Sequence, residues 1–391
     1  MKRKQESAAV GGCVRRASLA MGLVAGLGAV DCAAQHVPIV VYGRLHLSVE
    51  RLQAGGPAAV ERTEYKNNTS RFGFRGSYDA GNDFYAFYQL ESGAAADGDG
   101  LGTGSNTNGG RETFVGFGNT KAGSIKVGNF YHPYDDLHYV SGNYWQLFTG
   151  TSNDATLWAN GSNAATGGFD QRLANGASYY TPNWNGFQGK IWYSLTQGPG
   201  GEEALGKQGS KVLSMSLTYD KAGRRLAWGY YGIEDAKALS ANFYDKGSSH
   251  FITGGITFGG LYLAGLYEFD KLEGINNTGA DRDRKYFHVL AKYTMGKHAV
   301  GAWFGKADDW KGAAGITNSG AKMYTVGYSY QVHPSAGVYA LYTKLENDTA
   351  GAYILGGSPA RGATTTSDWL PARADQPAFV LGGFVNFQWP N

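Results

Sequence analysis

The sequence predicts an all-β fold, a closed antiparallel barrel of sixteen strands that crosses a membrane. Three observations carry this expectation: an N-terminus of the export type, a series of short segments whose hydrophobicity alternates with period two, and connections that alternate between short and long.

The N-terminus comes first. Lys2, Arg3, Lys4, Arg15 and Arg16 form a basic region, Ala17 to Val30 is apolar, and Cys32, Ala33 and Ala34 are mostly small. This is the pattern of a secretory signal peptide, with cleavage expected after Ala34. The apolar run has 14 residues, too few to span hydrocarbon as a helix. A lipoprotein reading of Cys32 is disfavoured by Asp31, where a small neutral residue is expected. Residues 1–34 hold five of the 35 basic and two of the 32 acidic residues, so residues 35–391 carry 30 of each sign. The formal charge of +3 therefore resides in the leader, and nucleic acid is not an expected partner. Both cysteines, Cys13 and Cys32, also lie in it, which excludes disulfides and thiolate chemistry from the remainder.

Composition favours strands over helices. The chain has 60 glycines, 26 tyrosines, 19 phenylalanines and 9 tryptophans but only 10 prolines. No later segment approaches the roughly 20 apolar residues of a spanning helix. An exported chain without such helices crosses lipid only by closing a sheet, since every backbone polar group there needs a partner.

Alternation then locates the strands. Val41, Leu45, Leu47 and Val49 oppose Arg44, His46 and Ser48; Phe72, Phe74 and Tyr78 oppose Arg71, Gly73 and Arg75; Ile125 and Val127 oppose Ser124, Lys126 and Gly128. Such runs place strands at 38–52, 69–79, 83–93, 111–119, 123–130, 174–182, 187–196, 211–220, 225–234, 249–258, 261–271, 284–295, 298–306, 322–332, 336–346 and 378–388. Seven connections are tight turns rich in Gly, Asn, Asp or Pro. Eight are long and polar: 53–68, 94–110, 131–173, 197–210, 235–248, 272–283, 307–321 and 347–377. A soluble sandwich or propeller would show the same alternation. The export signal, the long–short rhythm and aromatics flanking turns (Tyr78, Phe84, Tyr180, Trp184, Phe187, Phe258, Tyr262) favour the membrane barrel.

Several segments resemble the Gram-negative general porins, in particular their β-proteobacterial branch. The resemblance is carried by Val41–Gly43, Ser70–Gly76, Phe84–Gly93, Arg111–Gly116, Gly123–Asn129 with the following Tyr131–Asp135, and Asn175–Pro182, segments spread over 41–182. It implies a sixteen-stranded trimeric barrel in the outer membrane, a third loop folded into the lumen and passive diffusion of ions and small hydrophilic solutes, without cofactor or catalytic centre. Outer-membrane lipid and lipopolysaccharide are the expected surroundings. Two departures stand out. The chain finishes Phe387–Gln388–Trp389–Pro390–Asn391 where the family ends on phenylalanine, and Asn129 replaces an arginine.

In a pore the working chemistry is width and field at the constriction. Residues 131–173 form the third and longest loop, longer than a connector needs to be. Its aromatics, among them Tyr134, Tyr139, Tyr144, Trp145, Phe148 and Trp158, suit packing against an inner wall. Asp135, Asp136 and Asp154 are its candidate pore-facing acids, and strand parity puts Arg44, Arg71, Arg75 and Lys126 on the lumenal wall. Four cations against three acids give a weak anion lean. The alternative for Arg71 and Arg75 is simple pairing with Glu91 or Glu112. His132 and His138 bracket Asp135 and Asp136, but solvated loop histidines fit better than a metal site. Residues 281–285 read as a solvated, salt-bridged rim facing lipopolysaccharide. Competing functions are a solute-selective porin, a barrel enzyme, for which no nucleophile–base pair stands out, and an adhesin using the long 347–377 segment.

Overall fold

The computed structural model describes residues 39–55, 60–96, 100–101, 111–141, 151–158, 169, 172–197, 210–236, 244–275, 278–355 and 374–390. The leader and its cleavage point lie outside the described residues, as do Tyr144, Trp145 and Phe148.

The strands are β1 (Val40–Ala54), β2 (Val60–Asn67), β3 (Arg71–Gly81), β4 (Phe84–Ala95), β5 (Gly100–Leu101), β6 (Thr113–Asn119), β7 (Gly123–Tyr131), β8 (Arg172–Tyr180), β9 (Phe187–Gln197), β10 (Ser210–Lys221), β11 (Arg224–Glu234), β12 (Lys246–Phe258), β13 (Leu261–Ile275), β14 (Ala280–Met295), β15 (His298–Ala307), β16 (Ala321–His333), β17 (Ala336–Asn347) and β18 (Gln376–Trp389). Neighbours pair antiparallel, and β1 pairs with β18 from Val41↔Trp389 to Leu52↔Ala378, which closes the sheet. Two of these strands are not separate staves. β2 and β3 both pair with β1, at Leu47–Ala54 and Val40–Arg44 respectively, and so form one stave interrupted at 68–70. β5 pairs only with the end of β4. The result is a sixteen-stranded barrel, as the alternation predicts. Among the described residues no helix is long and apolar enough to cross a membrane; the strands cross.

Burial along each stave is the inverse of a soluble protein's. On β1, His46, Ser48 and Glu50 are at most 3% exposed, while Leu45, Leu47 and Val49 are exposed. The apolar parity faces outward on β3, β6, β7 and β9 too, at Phe74, Val115, Phe117, Ile125, Val127 and Ile191. A sheet with lipid outside and a polar lumen inside has this arrangement.

The tight turns follow local chemistry. Asn185 and Gly186 both have positive φ, 56° and 102°, between the Trp184↔Phe187 bridge residues. A two-residue hairpin of this hand matches strand twist, and Asn–Gly is the pair that adopts it most readily.

Three expectations need correction. The segment 53–68 is not one long loop, because 60–67 is strand; Val60–Glu61–Arg62–Thr63–Glu64–Tyr65–Lys66–Asn67 is polar on both faces and carries no alternation. The 272–283 connection is also shorter: β14 starts at Ala280 in a run polar on both faces, and β13 continues to Ile275 with Leu272 and Ile275 buried. Thirdly, Tyr180 and Tyr262 are not girdle residues. They share the inward parity of Ser178 and Leu266, whereas Tyr78, Phe84, Trp184, Phe187 and Phe258 are exposed as a girdle requires.

Candidate functional site

The arginines named from parity do meet. Arg44 on β1 stands directly across from Arg71 on β3, and Arg75 lies across from Val40 on the same face. Arg44 packs its guanidinium 4.6 Å from the Phe384 ring, with Nη2 3.2 Å from His46 Nδ1. Arg75 lies 4.8 Å from the Tyr42 ring and donates to Gln388 Oε1 at 2.9 Å. Arg71 Nε is 3.5 Å from Glu91 Oε2. Glu91 also accepts from Tyr42 Oη at 2.9 Å and from Arg111 Nε. Arg111 is a further cation on Glu91 that parity reasoning missed: the expected strand 111–119 gives it the parity of outward Val115 and Phe117, but β6 begins only at Thr113, so that alternation does not reach it.

Lys126 belongs to another cluster. Its Nζ sits 4.3 Å from the Phe114 ring, 3.9 Å from Phe130 and 5.1 Å from Tyr180, a three-ring cage that favours a cation. Glu112 and Asp136 are the acids acting on it. Asn129, where the family has arginine, donates instead to the Arg111 carbonyl at 3.2 Å.

The loop acids take three places. Asp136 Oδ2 is 2.6 Å from Lys190 Nζ on β9. Lys190 shares parity with buried Trp192 and Ser194, a signal that sequence alternation carries. Asp154 Oδ2 is 3.2 Å from His288 Nδ1 on β14. Asp135 is buried in the short 3-10 turn Asp135–Leu137. Thus Asp136 lies on the Lys126 side, and Asp154 lies against β14.

Around these acids, described residues of the segment contact side chains on several staves. The Tyr134 amide donates to Ser214 Oγ at 2.9 Å, and its hydroxyl pairs with Ser249 Oγ at 2.7 Å. The Tyr134 ring stacks on Trp158 at 5.1 Å and meets Phe251 edge-on at 4.7 Å. Burial pushes the Tyr134 phenol well above its ordinary value, and Glu268 and Asp270 add to this, so it stays neutral. Tyr262 Oη donates to the Val140 carbonyl at 2.7 Å, and Phe169 lies 5.0 Å from Tyr231. On the opposite flank, Thr151 donates to Glu50 and accepts from Lys66 Nζ at 3.0 Å.

The run at 281–285 is not uniformly a solvated rim. Arg282 and Arg284 share the inward parity and are buried, while Asp283 and Lys285 point outward. A block of charges hides its own alternation, because every residue in it is polar. His132 Nδ1 lies 3.1 Å from Ser214 Oγ; the side chain of His138 lies outside the described residues, and no group of metal-ligating residues occurs among those described.

Residues 17–350 match the family model described as Gram-negative porin. The fold is similar to an anion-selective porin from Comamonas acidovorans, at 20% identity and a TM-score of 0.64 over 89% of this chain and 99% of that one. It is similar to OmpT of Vibrio cholerae in its trimer form, at 15% identity and a TM-score of 0.63 over 89% and 99%. It is also similar to Salmonella typhi OmpF in complex with daunomycin, at 18% identity and a TM-score of 0.62 over 89% and 97%. No curated protein matches the sequence significantly.

Proposed function

Because the chain belongs to the Gram-negative porin family, we propose that residues 131–173 fold into the lumen and, with Arg44, Arg71 and Arg75, set the narrowest section of its channel. The protein is an outer-membrane general diffusion porin, a passive channel for ions and small hydrophilic solutes and not an enzyme. The observation that carries the placement of the loop is its reach. One segment touches Glu50 on β1 through Thr151, and His288 and Arg284 on β14 through Asp154 and Leu157. All of these partners have the inward parity.

The field across such a constriction is uneven. Asp136 is balanced by Lys190, and Glu91 is shared by Arg71 and Arg111, while Arg44 rests on a ring and a histidine. This supports a weak anion lean, in keeping with the anion-selective Comamonas porin. Lys126, Asp135 and Asp154 complete the set of constriction residues in this reading. The trimer form of the Vibrio protein supports assembly as a homotrimer. Residues 1–34 act as the removed export signal, and outer-membrane lipid and lipopolysaccharide cover the apolar outer face.

Replacing Arg71 and Arg75 together by alanine moves the reversal potential in a planar bilayer toward cations. An unchanged potential removes these arginines from selectivity.

A further inference from the structure

One guanidinium gathers four parts of the chain. Arg284 on β14 is 1% exposed, and its three nitrogens are all engaged. Nε donates to Asp270 Oδ2 at 2.9 Å, across the β13–β14 pair. Nη2 donates to the Leu157 carbonyl at 2.7 Å, and Nη1 donates to Tyr353 Oη at 2.5 Å. The face of the group lies 5.1 Å from the Trp310 ring. Asp270 belongs to the wall, Leu157 to the third loop, Tyr353 to the connection after β17 and Trp310 to the connection after β15.

The Tyr353 segment is itself held firmly. Asn347 donates to the Tyr353 carbonyl at 2.9 Å and accepts from the Tyr353 amide at 3.0 Å. Gln376 Nε2 donates to the same carbonyl at 3.1 Å, and Gln376 Oε1 accepts from the Leu355 amide at 2.7 Å. One side of the fork is therefore anchored to the ends of β17 and β18. Its other side grips a bare backbone carbonyl of the third loop. Four residues along the same inward face, His288 meets Asp154, so the stretch 154–157 lies on β14 at two points.

We propose that Arg284 is a positioning residue for the pore, a clasp that ties residues 154–157 of the third loop to the outer segment 348–355. It rests on the reading of residues 131–173 as the constriction. The chemistry favours arginine specifically. A planar fork serves three acceptors in three directions at once, whereas a lysine ammonium on a flexible stem does not hold that geometry. Asp270 supplies the compensating charge that makes the buried cation tolerable. The consequence is a mechanical link: a perturbation at Tyr353, in the outer segment, reaches the loop that narrows the channel through a single side chain.

The test is single-channel recording of the intact protein in planar bilayers with Arg284→Lys, Arg284→Met, Tyr353→Phe and the Arg284→Met/Tyr353→Phe double variant. Migration of unheated protein on gels reports whether each barrel folds. Among folded variants, Arg284→Met is expected to raise current interruptions and substate visits about tenfold, with Arg284→Lys close to it. Tyr353→Phe gives a smaller rise that adds nothing in the double variant, as a shared contact requires. Arg284→Lys and Tyr353→Phe keep the proposal testable where Arg284→Met does not fold. Wild-type-like recordings for folded Arg284→Lys and Tyr353→Phe overturn the clasp, as does strict additivity in the double variant. Asp136→Asn recorded alongside separates the two readings. If it alters conductance while the Arg284 variants do not, the clasp fails and the constriction stands. If none alters it, the constriction reading fails too.

Discussion

Two halves of the barrel wall share the same parity rule and do different things with it. Along β9 to β14 inward-facing side chains meet described residues of the third loop. Tyr134, Trp158, Phe169, Trp192, Tyr231 and Phe251 pack there into an aromatic core, each at most 2% exposed. Along β1, β3 and the Arg111 segment, the inward face instead carries Arg44, Arg71, Arg75 and Arg111, with Arg71 and Arg111 sharing the carboxylate of Glu91 and Arg44 and Arg75 resting on the Phe384 and Tyr42 rings. The first half holds by burial of aromatic area and edge-on ring contacts. The second holds by ion pairs and cation–ring contacts. Inward parity thus means facing the interior, whether the side chain there joins an aromatic cluster or a set of charges.

The comparison can be broken most strongly on the packed side. Trp158→Ala removes a stacked ring from a closed cluster and is expected to cost about 3–5 kcal/mol. Urea or thermal unfolding in detergent measures it, and a loss under 1 kcal/mol would show that the cluster is not a true core. Next in size is Glu91→Gln on the charged side. It leaves Arg71 and Arg111 without their shared carboxylate and costs about 1–3 kcal/mol. The reversal potential should move toward anions, opposite in sign to the double arginine variant, and equal signs would refute the assignment of the two halves. Lys126→Met tests the boundary between them. It removes the cation from the cage of Phe114, Phe130 and Tyr180 and should cost about 0.5–2 kcal/mol, read by the same unfolding experiment.

The smallest effect lies outside both halves, in the short turns. Lys121 holds Asp83 by hydrogen bond and charge, lowering its carboxyl from the ordinary value. A depressed carboxyl stabilises the fold above its unfolded pKa, and that contribution disappears as pH falls through the folded value. Both groups are solvent-exposed, so Asp83→Asn should leave the neutral-pH unfolding midpoint nearly unchanged and only flatten its acid limb. A large midpoint shift at neutral pH would contradict this.

The two halves were not equally readable. Arg44, Arg71 and Arg75 followed from alternation, because Leu45, Phe72 and Phe74 mark the opposite face. Lys190 carried the same signal through Ile191 and Tyr193. By contrast β2 and the start of β14 have polar residues on both faces, so period two has nothing to alternate between, and Arg284 hid within that run. The loop contacts were unreadable for another reason. Leu157 offers a backbone carbonyl, which any residue supplies, and Thr151 joins Glu50 across about a hundred residues. Loop aromatics such as Tyr134 and Trp158 announced packing, but not the wall they would choose.

The pairing of β1 with β18 has a further consequence. Val41 stands opposite Trp389, so the first and last strands of the wall finish side by side at the same rim as the tight turns. Between any two staves the hydrogen-bonded ladder is of the same kind, and the ring has no privileged point of origin. A short peptide bridge from Trp389 to Val41, with new termini opened at the Ala222–Gly223 turn, would give a circularly permuted chain with every ladder intact. The order in which the staves leave the ribosome would then be rewritten while the finished cylinder stayed the same.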